Sequence, residues 1–194
     1  MPTTTAKLGI ATAVALLLGF LPVLSAQKSF PDEYQEKWEK AGPNVRFMRH
    51  YDGTRTEFRR SPDDRIHTKK TFSGNGALVL VSVYRMDALG NPRSCKIYDG
   101  RKNLLYKVAY GYHKEHGKLV AEDMFDARTK RLNPNNGREM PVRRMYYTYD
   151  AQGNRSRPIC YNFLEGERAE KIFGKDRMKT TFPENNPFRD SGSR

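Results

Sequence analysis

Met86-Asp87-Ala88-Leu89-Gly90-Asn91 and Tyr149-Asp150-Ala151-Gln152-Gly153-Asn154 share one pattern: a strand-end residue, an aspartate, two variable residues, a glycine and an asparagine. Between them lie Tyr98-Asp99-Gly100-Arg101-Lys102-Asn103-Leu104, Tyr112-His113-Lys114-Glu115-His116-Gly117-Lys118-Leu119 and Phe125-Asp126-Ala127-Arg128. The leading residues recur every 12 to 14 positions, with one double interval before Tyr149. Phe72 and Phe163 continue the series at either end. The chemistry of one unit is local. The aspartate accepts hydrogen bonds from its own turn, glycine or asparagine takes up positive φ, and the aromatic packs on the neighbouring strand. A period of about 12 residues holds one strand and one tight turn, so repetition predicts an antiparallel meander.

Outward from the repeat the alternation continues. Ala77–Met86 is the most apolar run and is expected at the centre of the sheet. Before it, Val45 to His50 and Thr54 to Arg59 alternate around Asp52-Gly53, a strong hairpin signal. Ser61-Pro62-Asp63-Asp64 is the next turn, and Arg65–Phe72 the next strand. Thr129–Met140, with Asn133-Pro134-Asn135-Asn136-Gly137, reads as a loop. Residues 164–181 fit either a further strand pair or a short helix, and 183–194 are polar enough to be disordered. At the other end, 27–43 read as one short helix, starting at Ser29 and Pro31 and stopping at Gly42-Pro43. Phe30, Tyr34, Trp38 and Ala41 form its stripe, which packs it on the body of the protein. The fold class is therefore all-β. An antiparallel meander of about seven to nine strands spans 44–182, as a curved open sheet or a partial barrel behind one helix.

Residues 1–26 have the layout of a signal peptide: Lys7, an uncharged run from Leu8 to Leu24, and Ser25-Ala26 at the cleavage position. An uncleaved anchor is the rival reading, but the run is short for a span and Pro22 interrupts it. The expected location is secreted or periplasmic. What remains suffices for one domain with a real core. The net charge of +13 gives affinity for polyanions. In an exported protein that points to anionic glycans or envelope polymers rather than nucleic acid.

The repeated units resemble the YD repeats of RHS-type bacterial proteins and the related pattern of MORN-variant proteins. Tyr149-Asp150-Ala151-Gln152-Gly153-Asn154 matches best. Tyr98-Asp99 carries Lys102 in place of the glycine, Met86 replaces the aromatic, Tyr112 lacks the aspartate and Phe125-Asp126 lacks the glycine. The resemblance spans 86–163 and implies an antiparallel sheet and a bacterial source. It also places Cys95 and Cys160 in near-equivalent strands. A Cys95–Cys160 disulfide is then expected if the sheet curls until those strands meet, and two unlinked thiols if it is open.

No acid, base and nucleophile set stands out, so a non-enzymatic protein without cofactor or metal is expected. His113 and His116 lie in a turn rather than at helical zinc spacing. Asp63-Asp64 with His67 is read as a turn, and Glu122 and Asp123, adjacent in a strand, face opposite sides. Asn154-Arg155-Ser156 matches a glycosylation acceptor, a reading the bacterial resemblance discounts. Basic residues crowd the first hairpins (Arg46, Arg49, Arg55, Arg59, Arg60, Arg65, Lys69 and Lys70). A second group, Arg143, Arg144, Arg155 and Arg157, interleaves with Tyr146, Tyr147, Tyr149 and Tyr161. The expected ligand platform is Arg143, Arg144, Tyr147, Tyr149, Arg155 and Arg157, engaging an anionic polymer. The alternatives are a protein–protein interaction module, of antitoxin-like or envelope-scaffold type, and a carrier cupping a lipid.

Overall fold

The computed structural model describes residues 37–163, 179–183 and 186–188. The expected signal peptide and residues 164–178 lie outside them. Ten strands run in chain order: β1 (Glu39–Gly42), β2 (Val45–Arg49), β3 (Arg55–Arg60), β4 (Ile66–Phe72), β5 (Leu78–Met86), β6 (Pro92–Asp99), β7 (Leu104–Tyr112), β8 (Leu119–Asp126), β9 (Arg143–Tyr146) and β10 (Ile159–Asn162). Each pairs antiparallel with the next in one open sheet, β1 to β10. The meander is as expected, with more strands and no barrel closure.

The C-terminal end of the expected N-terminal helix is the correction. Glu39–Gly42, its expected last turn, is strand β1, and the described residues contain no helix. Residues 29–36 lie outside the described part. A short helix in isolation is marginal. Residues 39–42 instead satisfy the open backbone edge of β2, with Glu39 opposite Phe47 and Lys40 opposite Arg46. Trp38 packs on the core, its ring 6.0 Å from Phe58.

The repeated turns work through their aspartates. Asp87 Oδ1 accepts the N–H groups of Leu89 and Asn91, and Asp99 Oδ1 those of Arg101 and Asn103. Asp150 Oδ1 accepts the N–H of Asn154 at 2.8 Å. Gly90 and Gly153 sit at φ 74° and 84°, and Lys102 takes the same left-handed position at 69°. The aspartate network thus holds a lysine where glycine would be unstrained.

Alternation divides the sheet into two faces. The inner face carries Phe58, His67, Tyr84, Cys95, Ile97, Tyr106, Val108, Met124 and Met145, all buried. A single sheet needs a cover for such a face. Residues 179–183 and 186–188 supply it. The Phe182 ring lies 5.1 Å from Tyr84 and 6.1 Å from Phe58. Phe188 stacks on Phe58 at 5.7 Å, with the Arg46 and Arg60 guanidinium groups 4.9 and 4.8 Å from its ring centre. Part of the tail expected to be disordered is therefore seated on the sheet.

Cys95 is buried on β6 and Cys160 lies on β10, and no disulfide joins them. Four strand spacings of about 4.8 Å separate these strands by roughly 19 Å, far beyond disulfide reach. Burial pushes the Cys95 thiol up to about 12, which keeps it protonated and inert.

Candidate functional site

The six residues expected to form one platform are divided by the sheet. Arg143 and Arg144 are neighbours on β9 and point to opposite faces. Arg143 is buried on the inner face, where its Nη2 donates to Glu122 at 2.7 Å. Arg144 lies on the outer face and clasps Asp123 with two hydrogen bonds, at 2.6 and 2.8 Å. Tyr147 is buried, with the Arg155 guanidinium 5.0 Å from its ring centre. The Tyr149 hydroxyl donates to the Leu119 carbonyl, and Lys118 Nζ sits 4.8 Å from its ring centre. Arg157 is exposed on the connection into β10. The set does not share a surface.

The N-terminal basic group divides in the same way. Arg46, Arg60 and Lys69 belong to the inner face. Arg49, Arg55, Arg59 and Lys70 belong to the outer, where Glu57 lies 3.5 Å from Arg59 and 3.8 Å from Lys70.

The outer face does hold a continuous basic patch, on β5, β6 and β7. Val83 pairs with Lys96, and Lys96 pairs directly with Lys107. Arg85 pairs with Ser94 and so lies diagonal to Lys96 on the same face. All three cations are exposed. Lys107 has one distant carboxylate, Glu139 at 3.9 Å. Among the described residues Arg85 and Lys96 have no ion-pair partner. Directly opposed strand residues have Cβ atoms about 5 Å apart, and like charges there are destabilising. Lys96 opposite Lys107 is thus a local cost for folding, and an anion laid across the pair removes it. Val81, Val83 and Tyr98 interleave with the cations.

The inner face carries a buried polar network. Glu122 accepts from Arg143 and from the Thr181 N–H, at 3.2 Å to its nearer oxygen. The Tyr84 hydroxyl donates to the Thr181 carbonyl at 2.6 Å, and the Tyr110 hydroxyl bonds the Thr181 side chain. Burial raises the Glu122 carboxyl, and Arg143 and Thr181 oppose that shift. This network fixes the covering segment by its backbone as well as by Phe182. The remaining titratable candidates are local. His67 Nε2 lies 2.7 Å from Asp64, inside the aromatic cluster. The His113 and His116 rings stack at 3.9 Å in their turn.

Arg85, Lys96 and Lys107 were not singled out by sequence. The turn at Asp99–Asn103 is legible, and it pairs β6 with β7. The register shift between Ile97 and Tyr98 is not legible, and it decides which residues lie opposite one another. No protein-family model matches this chain, and no curated protein is significantly similar to it.

Proposed function

We propose that this chain is an exported, non-enzymatic binding module that engages an anionic glycan or envelope polymer through its outer face, at Arg85, Lys96 and Lys107. The observation that carries this reading is the direct cross-strand pairing of Lys96 with Lys107, beside an Arg85 that no carboxylate neutralises among the described residues. A polyanion satisfies all three at once, and its charges replace a repulsion inside the sheet. Val81, Val83 and Tyr98, each half-buried, offer the apolar contact that a sugar ring uses. The net charge of +13 adds long-range attraction.

Retention on immobilised heparin, used as a sulfated polysaccharide probe, tests the reading. Arg85→Glu with Lys96→Glu is expected to elute at much lower salt than wild type. Lys114→Glu with Lys130→Glu changes net charge equally at exposed turns and is expected to elute close to wild type. Equal loss in both variants would mean that overall charge, not this face, binds.

A second reading, docking of a protein, is supported by the β9–β10 end. There Tyr146, Ile159 and Tyr161 are 40%, 53% and 51% exposed, and the two tyrosine rings meet edge to face at 6.0 Å. Binding that survives high salt and fails in Ile159→Asp would favour it.

A further inference from the structure

Register carries the row of the outer-face patch onward toward β3. Arg59 lies opposite Thr68, Thr68 opposite Val83, Val83 opposite Lys96, and Lys96 opposite Lys107. The register shifts in these ladders lie elsewhere, at Thr71/Phe72, Arg85/Met86 and Ile97/Tyr98. The row therefore crosses five strands directly, from Arg59 on β3 to Lys107 on β7. Lys70 and Arg85 flank it, each one same-face position away, and they stand on opposite sides because Lys70 pairs with Val81 and Arg85 with Ile66. Arg59, Arg85, Lys96 and Lys107 are exposed, and Lys70 is half-buried.

This band has a direction. The outer face of β4 carries Ile66, Thr68, Lys70 and Phe72, that of β5 carries Val81, Val83 and Arg85, and that of β6 carries Ser94, Lys96 and Tyr98. Each strand gives one cation, so a polymer laid along a strand meets one and a polymer laid across the strands meets all five. Four strand spacings of about 4.8 Å make the band roughly 19 Å long. The carboxylates beside it lie at its ends: Glu57 is 3.5 Å from Arg59 and 3.8 Å from Lys70, and Glu139 is 3.9 Å from Lys107. Among the described residues two carboxylates thus face five cations, and the middle of the band, Arg85 and Lys96, has none. Arg55 is on the same strand and face as Arg59, but four residues away it lies roughly 13 Å off the row.

Resting on the outer-face reading, we propose that the occupant is an extended linear polysaccharide with an anionic group on successive units, lying across β3 to β7 from Arg59 to Lys107. A pyranose unit in an extended chain advances by about one strand spacing, so successive anions fall over successive strands. A compact polyanion covers only part of the band, and a disaccharide reaches two strands.

Size-defined heparin oligosaccharides, titrated calorimetrically into the full chain at low salt, test both length and direction. Affinity is expected to rise at least about tenfold from disaccharide to hexasaccharide and to level off at the octasaccharide. Arg59→Gln is expected to weaken the hexasaccharide by about threefold to fivefold, the worth of one exposed ion pair, and to leave the disaccharide unchanged. Arg55→Gln removes the same charge from the same strand and is expected to leave both unchanged. Lys70→Gln stands in should Arg59→Gln fail to fold, as read by circular dichroism. Affinity that levels off at the disaccharide, or a loss in Arg59→Gln no greater than in Arg55→Gln, would overturn the band while outer-face binding stands. Absence of binding at every length, or no loss in Lys96→Gln, would overturn both.

Discussion

Lys102 shows what a single residue costs in this fold. A non-glycine side chain at φ 69° carries left-handed strain, offset here by the hydrogen bonds that Asp99 collects. Lys102→Gly is expected to stabilise the protein by about 0.5–1 kcal/mol in urea unfolding, the relief exceeding the added chain entropy. Gly100 has a different constraint. A Cβ there would lie 1.9 Å from the Leu78 carbonyl oxygen. Gly100→Ala must push β5 from the turn and is expected to destabilise by more than about 2 kcal/mol in the same assay. The turn aspartates also set the acid limit of stability. The side-chain amides of Asn103 and Asn154, followed by their backbone N–H groups, lower the Asp99 and Asp150 carboxyls from the ordinary 3.8. A carboxyl lowered in the folded state contributes stability above its unfolded value, which is lost as pH falls through the folded one. Melting temperature is therefore expected to drop below about pH 4. Asp99→Asn with Asp150→Asn is expected to flatten that drop, because the amide does not titrate. Its oxygen still accepts the backbone N–H groups, while the side-chain bonds from Asn103 and Asn154 to the second oxygen are lost, so stability at neutral pH falls.

At the scale of elements, the meander was legible because its information is local. Each Asp-x-x-Gly-Asn turn names its own two strands, and Lys102 in the glycine position did not hide the one that departs. What sequence could not place is whatever depends on register over distance. Arg143 and Arg144 read as one basic pair, yet adjacent strand residues face opposite ways, and the long connection between Asp126 and Arg143 conceals their partners, Glu122 and Asp123. The end of the expected first helix differs for a related reason: an open edge on β2 competed for residues 39–42, while Trp38 packs on Phe58. Between β6 and β7 the opposed lysines give a prediction with two signs. Lys96→Glu replaces a repulsive cross-strand pair with an attractive one. It is expected to raise stability by about 0.5 kcal/mol while weakening polyanion binding. Thermal unfolding and heparin elution of one variant read both, and a loss of stability would contradict the assigned register.

For the whole molecule, one sheet becomes a folded domain because residues 179–183 and 186–188 bring a second layer to it. Thr181 is the pivot, giving its N–H to Glu122 and its carbonyl to Tyr84 while Phe182 fills the aromatic cluster. The Glu122–Arg143 pair is what the covering segment seals from water. Arg143→Met leaves a buried carboxylate without its guanidinium and is expected to cost about 3–5 kcal/mol in urea unfolding. The two faces then have different tasks. The inner face spends its charges on holding the cover, and the outer face leaves Arg85, Lys96 and Lys107 available to solvent. Salt dependence of binding separates an outer face that binds polyanions from one that does not. Affinity for a heparin oligosaccharide, measured by titration across a range of sodium chloride, is expected to fall linearly on logarithmic axes. Each of Arg85→Gln and Lys96→Gln is expected to reduce the slope by about one. Slopes unchanged in those two variants, with a reduced slope in Arg155→Gln or Arg157→Gln, would contradict the account and return the site to the last turn.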